Sequence, residues 1–379
     1  MLWLPTEVLS QILQHAPRNS KNHTGVVVAR ESPLFLAHVC SHWRSIAFSI
    51  PDIWSFIDVT LRMTTTSHIH NRTKLFQLHL SLSRGASLSI ALVSEHDDPD
   101  IIQPFIRTLL SHFPRCQSLY MELPESWFFK FPLEQLVTPQ SFPNLRAITF
   151  HGDSVAYQWH NFRALTKTPA LSSATILGFR YYYWSRISPP SPPLTHLNVS
   201  LPPECIYEVL RETSNVIECR IFCFDTEPSD DDYFNNSLPL LTLPHLSSLY
   251  IAGSSDGKTL LNLIQTPALQ SFSCLLRFSF YPGTANLFDF LVGTPTTKLT
   301  TSECLLPAVH DFDSKSKNLR ELRIEDWSEP VDAVLEDDGL RSLETLIIRL
   351  DKDPNLQFHD DLLLNLIASR MGTSSLVLT

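Results

Sequence analysis

Residues 243–251 read LPHLSSLYI, and segments of the same form recur along the chain. The shared pattern is LxxLxh, where h is an apolar residue, and a proline or a polar residue stands just before it. Clear copies are SFPNLRAITF (141–150), PPLTHLNV (192–199), TPALQSFSC (266–274), SKNLRELRI (316–324) and LRSLETLII (340–348). Weaker copies are SLSIAL (87–92), RCQSLYM (115–121), TPALSSATI (168–176), SNVIECRI (214–221) and TKLTTSECL (297–305). Alternating apolar residues over a short segment predict a β-strand, so the chain is expected to repeat one strand many times.

The spacing of these segments predicts how the strands are arranged. The second apolar position falls at Leu119, Ile148, Ala174, Leu197, Cys219, Leu249, Phe272, Leu322 and Leu346. Most steps between these positions are 22 to 30 residues, and the one step of 50 is divided by the weak copy at 297–305. This period resembles that of leucine-rich repeats, whose units run from about 20 to 29 residues. Each such unit buries its leucines by stacking on its neighbours.

Several segments between the predicted strands show helical spacing. They are 101–113, 206–213, 257–265, 287–293, 331–338 and 359–372, the last of which would cap the C-terminal end. The predicted fold class is therefore α/β, with an irregular leucine-rich-repeat solenoid over 87–379 built from parallel strands and helical return segments. An ordinary α/β domain with parallel strands is the alternative.

The composition allows a large core and narrows the choice of partners. Of the 379 residues, 43% are hydrophobic and 18% are charged, which is not a disordered composition. The net charge of −10 disfavours nucleic acid or an anionic membrane as the main partner. Seven scattered cysteines without a CxxC pair favour a reduced intracellular compartment, cytoplasmic or nuclear. No apolar run reaches the roughly 18 residues that a membrane span needs.

The first sixty residues differ from the repeats. LPTEVLSQILQHA (4–16) has its apolar residues at helical spacing, and residues 36–47 show the same spacing in a segment that Pro51 should end. Two helices are too few to bury apolar stripes of this width. A large exposed apolar patch usually marks a binding site, and packing against the following repeats is the alternative.

Two segments of this region resemble an F-box. LPTEVLSQIL (4–13) and VCSHWRSIAFSIPDIWSFIDV (39–59) match the family pattern LPxEhLxxIh followed by hhxVCxxWRxhAxxxPxLWxxh. The sequence departs from the family at GVVVARESP (25–33), where a short second helix is usual, and at Ile53, where leucine is common. The resemblance implies an F-box over 1–56, which a connecting segment, 57–86, joins to the solenoid.

The resemblance also implies a partner, because F-box helices pack on the Skp-family adaptor of Skp–cullin–F-box (SCF) ubiquitin ligases. Trp43 is expected to anchor this surface, as tryptophan often does at interfaces. Trp54 is instead expected to seal the F-box to the next domain, since it lies between the helix and a predicted strand. The residues that correspond to adaptor-binding positions are Leu4, Pro5, Val8, Leu9, Ile12, Val39, Cys40, Trp43 and Ile46.

Two aromatic segments are candidates for a substrate surface. RYYYW (180–184) combines an arginine with four aromatic residues, and ESWFFKF (125–131) is a similar but weaker cluster. Aromatic residues and arginine are the commonest interface anchors, although packing within the repeats is the alternative. The predicted substrate-binding residues are Arg180, Tyr181, Tyr182, Tyr183, Trp184 and Trp127.

The sequence lacks convincing patterns for catalysis. AGSSDGKT (252–259) lies where a phosphate-binding loop would, but three residues rather than four separate its glycines, and Asp256 would repel phosphate. His38 and His42, like Cys219 and Cys223, are too isolated to predict a metal site. We therefore expect no enzyme activity, cofactor or metal.

The predicted function is that of a substrate-recognition subunit of an SCF ubiquitin ligase. The F-box would bind the Skp adaptor and through it a cullin, while the solenoid would hold an unknown protein substrate. One alternative is an F-box scaffold that acts outside a ligase. Another is an enzyme that uses the solenoid as a frame, which predicts a deep pocket with clustered acids or histidines.

Overall fold

The structure is a computed structural model of the chain. It describes residues 5–15, 33–61, 66–95, 98–124, 142–151, 168–177, 194–223, 238–253, 257–276, 290, 294–302, 318–327, 344–350 and 375–378. The chain divides into two compact units, Met1–Pro193 and Leu194–Thr379. Each unit is mixed α/β and contains a parallel sheet, as the fold class predicts.

The first unit begins with short helices. They are α1 (Thr6–His15), α2 (Pro33–Ala37), α3 (Ser41–Ser49) and a 3₁₀ turn (Pro51–Trp54). Proline begins α2 and the 3₁₀ turn, where its missing N–H leaves no helix hydrogen bond unmade. Ile50, which precedes Pro51, is extended, so α3 ends where the sequence predicts.

The single helix predicted over 36–47 is instead two helices, with a break at residues 38–40. Cys40 is extended there and serves as the N-cap of α3, because its Sγ accepts a hydrogen bond from the backbone N–H of Trp43 at 3.5 Å. The apolar spacing of the sequence continues across the break between Ala37 and Ser41, which is why the two helices were predicted as one.

The sheet of the first unit has its strands in chain order. Its elements are β1 (Phe56–Leu61), α4 (Thr66–Leu82), β2 (Leu88–Ser94), α5 (Pro99–Leu110), a 3₁₀ turn (Phe113–Arg115), β3 (Cys116–Glu122), β4 (Ala147–His151) and β5 (Ser173–Leu177). Each strand pairs in parallel with the next. Residues 57–86, expected to be a connecting segment, thus include most of β1, which is the first strand of the sheet, and the whole of α4.

The sheet of the second unit also follows chain order. Its elements are β6 (His196–Leu201), α6 (Pro203–Glu212), β7 (Glu218–Cys223), β8 (Leu241–Thr242), β9 (Ser248–Gly253), α7 (Gly257–Leu263), β10 (Ile264–Gln265), β11 (Ser271–Leu276), β12 (Lys298–Ser302), β13 (Glu321–Trp327), β14 (Thr345–Leu350) and β15 (Ser375–Leu378). Strands β8 and β10 form a separate parallel pair, and the others pair in parallel in order.

Three of the predicted helical segments are helical, and three lie mostly or wholly outside the described residues. Helices α5, α6 and α7 correspond to segments 101–113, 206–213 and 257–265. Only Phe290 of segment 287–293 is described. The segment 331–338 and the predicted cap at 359–372 lie outside the described residues.

The alignment of LxxLxh segments predicts the register of the strands correctly. Leu119 pairs with Ile148, and Ile148 pairs with Ala174. In the second unit one continuous row of partners runs through Leu197, Cys219, Leu249, Phe272, Leu299, Leu322, Leu346 and Leu376. Every member whose side chain is described, from Leu119 to Leu322, is buried. The position predicted from sequence is therefore buried in the core, and the weak copy at 297–305 contains the strand β12.

The same backbone hydrogen bonds recur before successive strands. The N–H groups of Ser247 and Ser248 both donate to the carbonyl of Ile217, at 2.9 and 3.1 Å. Those of Gln270 and Ser271 donate in the same way to Ser247, and the arrangement continues at residues 297–298, 320–321 and 344–345. Each repeat is thus fixed to the one before it by backbone atoms, which any side-chain sequence can supply.

One glycine is required by this packing. Gly253 ends β9 with a φ of +107°, and a Cβ there would lie 2.0 Å from the carbonyl oxygen of Cys223 in the neighbouring strand. Gly253 lies in the AGSSDGKT segment, so a close approach of two strands accounts for this glycine.

We expect Gly253→Ala to lower the free energy of unfolding by about 2 kcal/mol or more, because both the backbone angle and the neighbouring strand oppose a Cβ. Urea unfolding of the purified protein measures the effect. Gly85→Ala is the matched control, since a Cβ at Gly85 meets nothing within 4 Å. An equal loss of stability in both variants would contradict the packing described for Gly253.

Candidate protein-interaction site

The N-terminal helices are held together by a small hydrophobic cluster. Its buried members come from α1, α3 and the 3₁₀ turn, and they are Leu9, Leu13, Ile46, Ala47, Ile50 and Trp54. Partly buried apolar side chains surround them, among which Leu34, Leu36 and Trp43 belong to α2 and α3. The cluster fixes the positions of the three helices, because burying apolar surface is the main favourable term in such packing.

Trp54 connects this cluster to the rest of the first unit. Its side chain is fully buried, and its Nε1–H donates a 2.8 Å hydrogen bond to the carbonyl of Ala47 at the end of α3. Its ring makes edge contacts with Phe48, at a centroid distance of 5.5 Å, and with His79 of α4, at 5.1 Å. Trp54 therefore packs between α3 and α4, as its place between helix and strand predicts.

A hydrogen bond from an arginine side chain joins α2 to α3. The Nε–H of Arg44 donates a 2.9 Å hydrogen bond to the carbonyl of Ala37. A carbonyl at the end of a helix has no partner within the helix, and a positive charge is favourable there. Arg44, one of the residues that match the F-box pattern, thus stabilises the arrangement of these helices.

Several large apolar side chains on these helices face away from the cluster. Val8 and Ile12 lie four residues apart on α1 and are 41% and 45% exposed, while Phe35 and Val39 are 59% and 55% exposed. They are four of the nine large exposed apolar side chains among the described residues. Helix α1 therefore has one apolar face inside, with Leu9 and Leu13, and another that is uncovered. We call Val8, Ile12, Phe35 and Val39 the N-terminal patch.

The residues predicted to bind an adaptor fall into distinct groups. Pro5, Val8, Ile12 and Val39 are exposed, and Cys40 and Trp43 are half-buried. Leu9 and Ile46 differ from the expectation, because they are 0% and 5% exposed and form the inside of the helical cluster. They position the surface rather than form it. Leu4 lies outside the described residues.

Phe35 was not among the residues predicted from the sequence. The second helix was predicted to begin at Leu36, because α2 and α3 were predicted as one helix. The pattern of α2 is PLFLA, and Phe35 stands between two leucines that pack toward the cluster. An aromatic residue between two inward-facing neighbours on so short a helix is the feature that could have indicated its exposure.

The predicted substrate residues lie outside the described residues. These are Arg180, Tyr181, Tyr182, Tyr183, Trp184 and Trp127. In the second unit, the strand positions that alternate with the buried row carry other candidates that sequence reasoning missed. Tyr250 and Phe222 have ring centroids 5.4 Å apart, and Arg220 beside them is exposed. Burial raises the pKa of Tyr250, so its hydroxyl remains a hydrogen-bond donor at neutral pH.

Charged side chains on this same face of the second sheet form pairs across and along the strands. Lys298 lies 2.9 Å from Glu321 on the next strand, and Arg323 pairs with Glu325. In the first unit, the hydroxyl of Tyr120 donates to Glu122 at 2.7 Å, and Nδ1 of His151 lies 3.6 Å from the same carboxylate. Such half-exposed polar surfaces suit recognition of another macromolecule.

Cysteine side chains are buried in both units. Burial raises the pKa of the Cys116 and Cys219 thiols to about 12, so neither is a thiolate at neutral pH. Within the described ranges, no group of three or more histidine, cysteine, aspartate or glutamate side chains is placed to hold a metal ion. None of the helices in these ranges is long and apolar enough to cross a membrane.

Comparison with protein-family models gives no match for this chain, and a search of curated proteins gives none either.

The burial of His79 makes the stability of the first unit depend on pH. Burial lowers the pKa of His79 to about 4, and Nδ1 of its ring has no hydrogen-bond partner among the described atoms. In the unfolded chain this pKa is about 6.5, so folding favours the neutral ring. The stabilisation is complete above pH 6.5 and is lost as the pH falls toward 4. Lowering the pH from 7 to 5 should cost about 2 kcal/mol through this residue.

Urea unfolding of the wild type and of His79→Gln at both pH values measures this contribution. We expect the difference in stability between the two proteins to shrink by about 2 kcal/mol at pH 5. His245→Gln, at an exposed position of the second unit, is the matched control for the loss of an imidazole side chain. If the difference in stability is the same at both pH values, the pKa of His79 does not change between the folded and the unfolded chain.

Proposed function

We propose that this chain is a substrate receptor of a Skp–cullin–F-box ubiquitin ligase. The observation that carries the proposal is the F-box pattern, which places a dozen residue types in order within the first sixty residues. The four exposed side chains of the N-terminal patch support it, because large apolar residues exposed on a group of packed helices are candidates for contact with a partner.

The adaptor would bind by packing its own apolar residues over the N-terminal patch. Val8 and Ile12 on α1 and Val39 before α3 are the predicted positions that are free to make this contact. Trp43 is half-buried and packs on the hydrophobic cluster, so the exposed part of its ring would also be available to the adaptor. The buried residues Leu9 and Ile46 would act indirectly, by keeping α1 and α3 in place before the adaptor arrives.

The repeats would hold the substrate, as an irregular leucine-rich-repeat solenoid. The in-register parallel strands and the recurring backbone bonds between repeats support this part of the proposal. The strand positions around Arg220, Phe222 and Tyr250 combine an exposed arginine with two aromatic rings, which are favoured interface residues. The chain itself would make or break no bond. It would bring a substrate close to the ubiquitin-transfer machinery.

Replacing apolar residues of the N-terminal patch by aspartate tests the adaptor contact. We expect Val8→Asp with Val39→Asp to abolish stoichiometric co-purification with a Skp-family adaptor, with affinity at least about 100-fold lower, because each aspartate would be desolvated at the interface. Both side chains are exposed, so the fold should survive, and circular dichroism verifies this. Leu240→Asp, at a position 59% exposed in the second unit, is the matched control and should bind as the wild type does.

The other outcomes separate the alternatives. Failure of the wild-type protein to bind any Skp-family adaptor would overturn the ligase proposal and leave the N-terminal helices as a cap on the repeats. Adaptor binding without recruitment of a cullin would instead favour a scaffold that acts outside a ligase. Retention of adaptor binding in the double variant would place the contact elsewhere on the chain.

A further inference from the structure

Helix α4 carries a second uncovered apolar stripe. Leu75, Leu78 and Leu82 follow one another at intervals of three and four residues, which places them on one side of the helix. Leu75 and Leu78 are each 38% exposed, whereas Leu82 is partly buried against the N-terminal cluster. The stripe therefore begins at the N-terminal helices and runs along α4 away from them.

The opposite side of α4 is already occupied by the first unit. Ile69, Phe76, His79 and Leu80 are buried there. Phe76 packs against Phe105 of α5 at a centroid distance of 5.7 Å, and His79 packs against Trp54. The guanidinium of Arg72 donates a 2.6 Å hydrogen bond to the carbonyl of Thr60 in β1. These contacts hold α4 in one orientation, so its leucine stripe cannot turn inward.

The charge around the stripe is unlike that of the rest of the chain. Residues 59–94 contain no aspartate or glutamate, although the whole chain has 39 of them and a net charge of −10. The same residues contain Arg62, Arg72, Lys74 and Arg84. Lys74 is exposed beside the stripe, and exposed Arg84 follows the end of α4. The exposed side of α4 thus combines leucines with positive charge.

We propose that the leucine stripe of α4 is a docking surface for an acidic amphipathic helix of a partner protein. The partner would place its own apolar residues, spaced three and four apart, on Leu75 and Leu78. Its flanking carboxylates would lie near Lys74 and Arg84. This inference does not rest on the proposed function, because it uses a different helix and a different partner chemistry.

The combination of leucines with a few positive charges favours a protein over other partners. Nucleic-acid binding depends mainly on many cations that contact phosphates, so exposed leucines beside a few positive charges favour a protein partner instead. Anionic membranes bind amphipathic helices that can bury a whole apolar face, whereas one face of α4 already packs on the sheet. A partner helix needs only the narrow stripe that is uncovered.

Fluorescence anisotropy with synthetic peptides tests the proposal on the full-length protein. The probe is an 18-residue labelled helical peptide with leucines on one face and glutamates beside them. A second peptide has every glutamate replaced by lysine. We expect the glutamate peptide to bind, and Leu78→Ser and Lys74→Glu each to weaken binding by at least about tenfold. Lys74→Glu should also bind the lysine peptide better than the wild type does.

Matched variants in the second unit control for general loss of apolar surface or positive charge. Leu240→Ser removes an exposed leucine, and Arg320→Glu reverses an exposed positive charge. Both should bind the glutamate peptide as the wild type does. Equal binding of the two peptides by the wild type, or no effect of Leu78→Ser, would overturn the proposal.

A vesicle experiment separates the membrane alternative. Vesicles of phosphatidylserine and phosphatidylcholine are mixed with the wild type and with Leu78→Ser, and bound protein is measured by co-sedimentation. Absence of vesicle binding together with peptide binding is the expected result. Vesicle binding that Leu78→Ser abolishes, without binding of the glutamate peptide, would show a lipid-facing helix and overturn the protein-partner proposal.

Discussion

Each buried side chain of the central row packs against the equivalent side chain of the neighbouring repeat, and the strands are stable only when these contacts are made. A single strand of five to seven residues cannot bury its apolar side chains alone, so each strand needs its neighbours in the same register. The row from Leu197 to Leu322 satisfies this requirement, and the backbone bonds between repeats hold it in place. Because side chains alternate between faces, burial of the row also determines which residues remain on the other face.

The N-terminal helices depend on a different interaction, the burial of Trp54. This side chain contacts Phe48 of α3 and His79 of α4 and bonds to Ala47, so it is shared between the helices and the first layer of the sheet unit. The two uncovered apolar surfaces, on α1 to α3 and on α4, lie on elements that this contact joins. Their positions relative to one another are therefore set before any partner binds, which reduces the entropy lost upon binding.

Much of the fold follows from the sequence alone, because alternating burial leaves an apolar residue at every second strand position even where the residue types differ between repeats. The strands and the partners Leu119, Ile148 and Ala174 were predictable for this reason. The break at Cys40 was not, since a thiol cap leaves the apolar rhythm intact. Helix α4 is apolar on more than one side and looked like a connection, and the burial of Leu9 and Ile46 depends on tertiary contacts that spacing does not reveal. The F-box resemblance gives the position of the candidate surface, but only burial distinguishes residues that form it from residues that support it.

The constant register has a consequence for how such a chain can evolve. The distance between equivalent positions varies from 22 to 30 residues along the sequence, yet the partners across the strands remain aligned. The differences in repeat length therefore lie in the segments between the strands. A lineage could lengthen one return segment, or exchange the residue at Arg220 or Tyr250, while the neighbouring layers keep their geometry. An architecture of this kind permits new specificities to arise one layer at a time.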